Sequence, residues 1–290
     1  MMNWTSSRLL TWSVERLIKA GVNSARLEAE ILLAKAIHGR RLDVYLEPHR
    51  ILNLQELCEH QNFIKRRLSR EPISYILGQR EFWSLDFKVT PEVLVPRPET
   101  EVLIELLIEI HGNLPIDGSP HILDIGTGSG NIAVAVAKEI PDSRITAVDV
   151  SPAALAIALE NSRLHNVSGQ IEFVQSNLFE KVTGQFDYIL SNPPYIASRE
   201  IAELMPDVRD YEPQLALNGG EDGLDYYKHI IPGAWERLKD DGVLIMEIGM
   251  DQAMDIRCLM DQHGGYEEPE VTPDYSGRDR VISARKGNNG

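Results

Sequence analysis

Cysteine is nearly absent. The 290 residues hold two, Cys58 and Cys258, far apart and without CxxC spacing. A disulfide framework and a cysteine-based zinc site are therefore excluded, and a reducing compartment, the cytoplasm, is expected. The eight histidines show no HxxxH or comparable spacing and read as surface or loop residues, so no metal is expected. No apolar run approaches the ~20 residues of a membrane span, since the longest, Val102 to Ile110, is broken by Glu105 and Glu109. The opening MMNWTSSRLL lacks the charged-then-apolar layout of a signal peptide, and no membrane partner is expected.

Positive charge is scarce beyond residue 90. Residues 1–90 hold 14 Lys/Arg against 10 Asp/Glu, whereas the remainder holds 15 against 34, a net of −19. Affinity for phosphate backbones comes from clustered Lys and Arg, so stable nucleic-acid binding is not expected of the acidic part. The run Lys65-Arg66-Arg67 with Arg70 could suit an acidic protein partner, but a solvated helix face is the favoured reading.

The chain reads in three parts: a helical recognition domain over 1–72, a hairpin linker over 73–95, and a larger domain over 96–290. Leu9, Leu10, Val14, Leu17 and Ile18 recur at helical spacing before Gly21. Ser24 can cap a second helix, and a third runs from about Leu54 to Leu68. Residues 75–78 and 81–89 alternate with period 2, as a hairpin would. Pro98 and its acidic neighbours suit the start of a helix through Ile110. From His121 strands alternate with helices, the pattern of a parallel α/β sheet. Strands are expected at 121–125, 144–149, 171–175, 186–191, 242–248, 266–272 and 279–285, the last antiparallel after a short turn. Helices are expected at 130–139, 152–165, 224–239 and 250–263. The long segment 196–223 reads as a substrate-facing loop.

Four stretches at successive strand ends carry chemistry. Asp124-Ile-Gly126-Thr127-Gly128-Ser129-Gly130 joins a strand to a helix, and its glycines let a ligand approach the backbone. Its GxGxG spacing differs from the GxGxxG dinucleotide fingerprint. Asp149 ends the next strand, 19 residues after Gly130, where a carboxylate can accept both ribose hydroxyls. Asn177 and Leu178 follow the third strand, where such sheets place groups around an adenine. Asn192-Pro193-Pro194-Tyr195 follows the fourth. Two prolines end sheet pairing there and fix the exit, so the Asn amide and an aromatic face form a clamp for a planar NH2 group. Alone, each stretch has a plain structural reading as a turn or a helix entry; four along one sheet edge do not.

These motifs identify a resemblance. The chain resembles the methyltransferases that modify glutamine in peptide-chain release factors, through Val95-Pro-Arg97-Pro-Glu99-Thr-Glu101, the Gly turn, Asp149, Asn192-Pro-Pro-Tyr195, Tyr211-Glu-Pro213, Gly219-Gly-Glu-Asp-Gly223, Glu247-Ile-Gly249 and Gly277-Arg-Asp-Arg280. The family commonly has Asp where Asn177 stands and often an aromatic at Leu178. The resemblance implies a class I methyltransferase, a Rossmann-like α/β fold with a seven-stranded sheet and a small N-terminal helical bundle. It implies S-adenosyl-L-methionine as donor and S-adenosyl-L-homocysteine as product. The cofactor would be held by Gly126, Thr127, Gly128, Ser129, Gly130, Asp149, Asn177, Leu178 and Asn192. Asn192, Pro193 and Tyr195 would act in catalysis, with Pro194, Arg97 and Glu99 joining them in substrate binding. The acceptor would be the glutamine of a Gly-Gly-Gln motif in class I release factors, modified by a monomer. Alternatives are a glutamine methyltransferase of a large-subunit ribosomal protein, an N6-adenine nucleic-acid methyltransferase, which the acidic charge disfavours, and a non-catalytic cofactor-binding module, which has no need of the clamp.

Overall fold

The computed structural model describes residues 4–114, 116 and 118–287. They fall into two units. One holds the described residues up to Gly78 together with Pro206–Tyr211, and the other holds the rest.

The first unit packs α1 (Ser6–Lys19), α2 (Ala25–Ala36), α3 (Arg41–Leu46), α4 (Leu54–Leu68) and α5 (Ile73–Leu77). Leu9, Leu17, Leu32, Leu33 and Ile64 are buried at its centre, each contributing about 1.5–3 kcal/mol. Asn53 and Glu56 form a reciprocal capping box at the start of α4, both bonds 2.9 Å. Ser24 precedes α2 but makes no side-chain cap. The alternation at 75–78 does not make a strand: Ile73–Leu77 is a helix entered from Pro72 and ended by Gly78, with Tyr75 and Ile76 buried. A five-residue run is too short for periodicity to separate the two forms, and burial decides it. His60 is a second correction. It is fully buried on α4 against Ser13 Oγ at 3.3 Å, and burial pushes its pKa down to about 4.

Lys65 of the basic run is exposed, but its three arginines are engaged within the unit. Arg67, 4% exposed, donates to Glu28 at 2.5 Å and pairs with Asp207 at 2.8 Å. Arg70 donates to the other oxygen of Asp207 at 2.6 Å, and Arg66 pairs with Glu71. Asp207 lies in the helical turn Pro206–Arg209, so the segment expected to be a substrate-facing loop supplies a piece of this unit.

The second unit begins with the antiparallel hairpin β1 (Gln79–Phe82) and β2 (Leu85–Lys88). A 3-10 turn, Pro98–Thr100, leads into α6 (Glu101–Asn113). There follow β3 (His121–Ile125), α7 (Asn131–Glu139), β4 (Arg144–Asp149), α8 (Pro152–Leu164), β5 (Ile171–Gln175), β6 (Phe186–Ser191), α9 (Asp225–Arg237), β7 (Leu238–Glu247), α10 (Ala253–His263), β8 (Glu270–Pro273) and β9 (Asp279–Arg285). The sheet order is β5-β4-β3-β6-β7-β9-β8, parallel from β5 to β7 and antiparallel beyond. Side chains alternate across it: Tyr188, Leu190, Val243 and Ile245 pack with α6 and α7, while Ile189, Leu244 and Met246 pack with α9 and α10. After β3 the chain moves outward to β4 and β5, then returns to the other side of β3 as β6. That reversal is the switch point where open α/β sheets bind ligands.

Gly130 decides how closely α7 meets α8. At φ +78° a Cβ there would lie 3.0 Å from Ala158 Cβ and 3.1 Å from its Cα. At Gly126, φ +74°, a Cβ would meet no protein atom within 4 Å. Gly126→Ala should therefore cost only the backbone term, about 1–2 kcal/mol, and Gly130→Ala about 1–3 kcal/mol more from overpacking. Thermal and urea unfolding of both variants measure the difference, and equal losses would refute the close-packing account.

Candidate active site

Four adjacent strands end in register. Val148, Ile125, Ser191 and Met246 are partners across β4, β3, β6 and β7. The residues that follow them are Asp149, Gly126, Asn192 and Glu247, a row with strands spaced about 4.8 Å apart. The chemistry of this edge is thus set by which residue each strand delivers next.

At β3 the chain turns at once. The amides of Gly126 and Thr127 donate to Val148 O at 2.9 and 3.0 Å, and Gly126, Gly128 and Gly130 all take positive φ. The amide of Gly128 donates to Asp149 Oδ2 and that of Ser151 to Oδ1, both at 2.9 Å. Each Asp149 oxygen keeps a lone pair for another donor. Burial raises the pKa of Asp149, opposed by those backbone bonds. Thr127 is turned inward, donating to Asp124 Oδ2 at 2.6 Å, and Ser129 is buried as well. Asp124 is wholly buried with Oδ1 unpaired, and burial pushes its pKa up to about 7, with the Thr127 bond opposing and the Asp149 charge adding.

Beyond β5, Leu178 adopts φ +47°, an uncommon conformation for such a residue. Ser176 Oγ holds it by donating to Leu178 O at 2.9 Å and accepting from Lys181 N at 3.0 Å. Asn177 donates its NH2 to Glu180 Oε1 at 2.9 Å, which leaves its oxygen free as an acceptor.

At β6, Ser191 Oγ donates to Ile125 O at 2.9 Å and ties the two strand ends together. Asn192 Nδ2 donates to Thr100 Oγ1 at 3.1 Å, and Thr100 Oγ1 donates to Glu247 Oε2 at 2.6 Å. Tyr195 OH donates to Glu247 Oε1 at 3.3 Å. Burial pushes Glu247 up to about 7, chiefly against the Thr100 bond and the Arg280 charge. The carbonyl of Tyr195 accepts from Gln252 Nε2 at 2.9 Å. A Cβ on Gly219 would come within 2.8 Å of Pro194 O, so only glycine lets the later loop pack on this corner.

A cavity of about 370 Å³ lies against this edge. Gly126, Gly128, Asp149, Asn177, Leu178, Asn192 and Pro194 line it. Thr127, Ser129, Gly130, Pro193 and Tyr195 do not: Thr127 and Tyr195 bond inward, Gly130 packs on Ala158, and the Ser129 and Pro193 side chains are buried. Arg97 also stands apart, donating to Glu212 Oε1 at 2.5 Å, and Glu99 is exposed on the 3-10 turn. Other walls come from Leu94, Ser151, Ser176, Pro213, Leu215 and Tyr226. None of these is among the site residues expected from the sequence, although Pro213 belongs to a motif of the resemblance. Ser176 had a signal in its place beside Asn177, and Tyr226 had none beyond its position in the first turn of α9. Among the described residues no cluster of His, Cys, Asp or Glu could hold a metal ion, and no helix is long and apolar enough to cross a membrane.

Residues 8–78 match the family described as PrmC N-terminal domain, and residues 100–207 match Methyltransferase small domain. The chain is 41% identical to the release factor glutamine methyltransferase of Geobacter sulfurreducens, covering 98% of each chain. It is 40% identical to that of Rhodopirellula baltica, over 98% of this chain and 97% of the relative. Among solved structures, a methyltransferase from Pyrococcus furiosus is similar in fold, with a TM-score of 0.54 and 19% identity over 78% of this chain and 99% of that one.

Asp124 makes stability depend on pH. An acid that holds its proton more tightly when folded stabilises at low pH and loses that contribution as pH rises to its folded value. Relative to Asp124→Asn, the wild-type chain should therefore lose stability between pH 4 and about 7 and then run parallel. Unfolding midpoints taken across that range test this, and a constant offset would count against it.

Proposed function

The chain belongs to the release factor glutamine methyltransferase family, and on that premise we propose that it transfers a methyl group from S-adenosyl-L-methionine to the side-chain amide nitrogen of a release-factor glutamine. The glutamine is that of the Gly-Gly-Gln motif in class I release factors. The observation that carries this reading is that Asn192 lines the same cavity as the Gly turn and Asp149 while its NH2 is committed inward. A site for the donor and an outward amide oxygen for the acceptor thus share one wall.

The residues present fit the cofactor. Gly126 has open space where a side chain would stand, Asp149 keeps acceptor capacity beside it, and the Asn177 oxygen is unspent. When bound, S-adenosyl-L-methionine supplies an electrophilic methyl carbon. Asp149 would hold the ribose hydroxyls, Gly126 and Gly128 would admit the ligand to the backbone, and Asn177 with Leu178 would bound the adenine.

A glutamine amide nitrogen is a weak nucleophile because its lone pair is delocalised into the carbonyl. Asn192 Oδ1 would accept one of its two hydrogens and the Pro193 carbonyl, on the backbone between the cavity-lining Asn192 and Pro194, the other, which would fix the direction of the nitrogen and weaken that delocalisation. Positioning of this kind supplies much of the acceleration in such reactions. Tyr195 acts from behind, its ring in the core and its hydroxyl on Glu247. Arg97 and Glu99 would meet the polypeptide acceptor from the rim. The net −19 of residues 91–290 suits a protein acceptor better than a nucleic acid, and two exposed free cysteines accord with the cytoplasm.

Labelled donor with purified release factor should give a methylated product that disappears when the motif glutamine becomes alanine; label on nucleic acid instead would sink this reading. Asn192→Ala should lower kcat by about 100-fold or more while donor affinity stays nearly intact. Parallel losses of binding and rate would make Asn192 a cofactor ligand rather than a clamp.

A further inference from the structure

A side-chain amide is nearly symmetric in shape and opposite in chemistry at its two ends. Asn192 serves the proposed reaction only with oxygen outward, because the acceptor amide presents hydrogens. Nothing in the corner's own sequence chooses that end. The choice comes from the atoms behind it.

Thr100 is 1% exposed and stands between Asn192 and Glu247. Its hydroxyl has one hydrogen, and a carboxylate can only accept. With Glu247 ionised, the Thr100 hydrogen goes to Glu247 Oε2 at 2.6 Å, and Thr100 Oγ1 is left as an acceptor. Asn192 must then turn its NH2 inward, as it does at 3.1 Å, and its oxygen faces the cavity. The second Glu247 oxygen accepts from Tyr195, and the Glu247 backbone carbonyl accepts from Tyr227 OH at 2.8 Å.

We propose that Thr100 and Glu247 are positioning residues, a buried relay whose hydrogen-bond polarity sets which end of the Asn192 amide meets the substrate. The role rests on the reading of Asn192 as the acceptor-amide clamp. Protonation reverses the polarity. A Glu247 hydroxyl donates to Thr100, the Thr100 hydroxyl turns to donate to Asn192, and the Asn192 NH2 swings outward against the hydrogens of the incoming amide. The charged and titratable groups facing Glu247 are Arg280 on β9, Glu99 beside Thr100, Tyr195 at the corner and Tyr227 on α9. Arg280 favours the ionised form, and Glu99 opposes it.

Two measurements test the relay. In the first, Thr100→Val keeps shape and removes the hydroxyl, and Thr100→Ser restores it. The valine variant should lose about 10- to 100-fold in kcat with donor affinity unchanged, and serine should recover most of the loss. Wild-type kcat should fall on the acid side with a midpoint near 7, and the valine variant should lack that limb. A valine variant with wild-type kcat, a serine variant as impaired as valine, or loss of donor binding in step with rate overturns the relay. The second needs no turnover: the Asn192 side-chain NH2 resonance, identified by its absence in Asn192→Ala, should shift with the same midpoint in wild type and not in Thr100→Val. A resonance that does not move from pH 5.5 to 8.5 overturns the relay whatever the activity. A wild-type chain that methylates no glutamine counts against the proposed function alone, since the resonance still reports the relay.

Discussion

Parallel pairing of β3 with β6 is the constraint on which everything at the site depends. Ile125 stands opposite Ser191, and the Ser191 hydroxyl is bonded to the Ile125 carbonyl at 2.9 Å. A slip of one residue would exchange Tyr188 and Leu190 with Ile189 across a sheet buried on both faces, which no core tolerates. With register fixed by packing far from the cavity, Gly126 and Asn192 emerge side by side. The donor half and the acceptor half of the site are therefore not separately placed. They are two consequences of one pairing.

Both halves use the same device for a buried acid. Asp124 and Glu247 lie on the α6/α7 side of the sheet, and each accepts a threonine hydroxyl at 2.6 Å. Burying a carboxylate is costly unless it is paired or holds a proton, and both carboxyls are pushed up to about 7. The difference lies in reach. Thr127 is three residues from its acid and braces the turn locally, whereas Thr100 is brought from the entry of α6 and joins a distant segment to the corner.

Strands and helices of the larger unit were legible because each is announced locally: an apolar run ends in Gly, Pro or Asp, and the register of four strand ends follows from those runs. Gly126, Asp149 and Asn192 were legible for the same reason, since their chemistry sits at a boundary visible in a short window. Thr100 and Glu247 each stand in a motif of the resemblance, but their pairing was not legible, because the two lie 147 positions apart and their meaning is a contact. Arg67 misled in the opposite direction. A basic run on a helix resembles a surface, and only the folded chain reveals the two carboxylates that enclose its guanidinium. The alternation at 75–78 misleads because four residues do not hold enough periods to tell the helix Ile73–Leu77 from a strand.

Those carboxylates bear on how such a protein can be divided. Asp207 comes from a stretch more than 120 residues downstream of Gly78, yet it belongs to the helical unit. A gene fragment ending at Gly78 would encode all five helices and leave the buried Arg67 with one of its two carboxylates, Glu28, and the Glu71 carbonyl. The helical unit is thus a module in space and not in the coding sequence. Exchanging it between relatives by a single crossover would transplant the helices without Pro206–Tyr211, the segment that completes them.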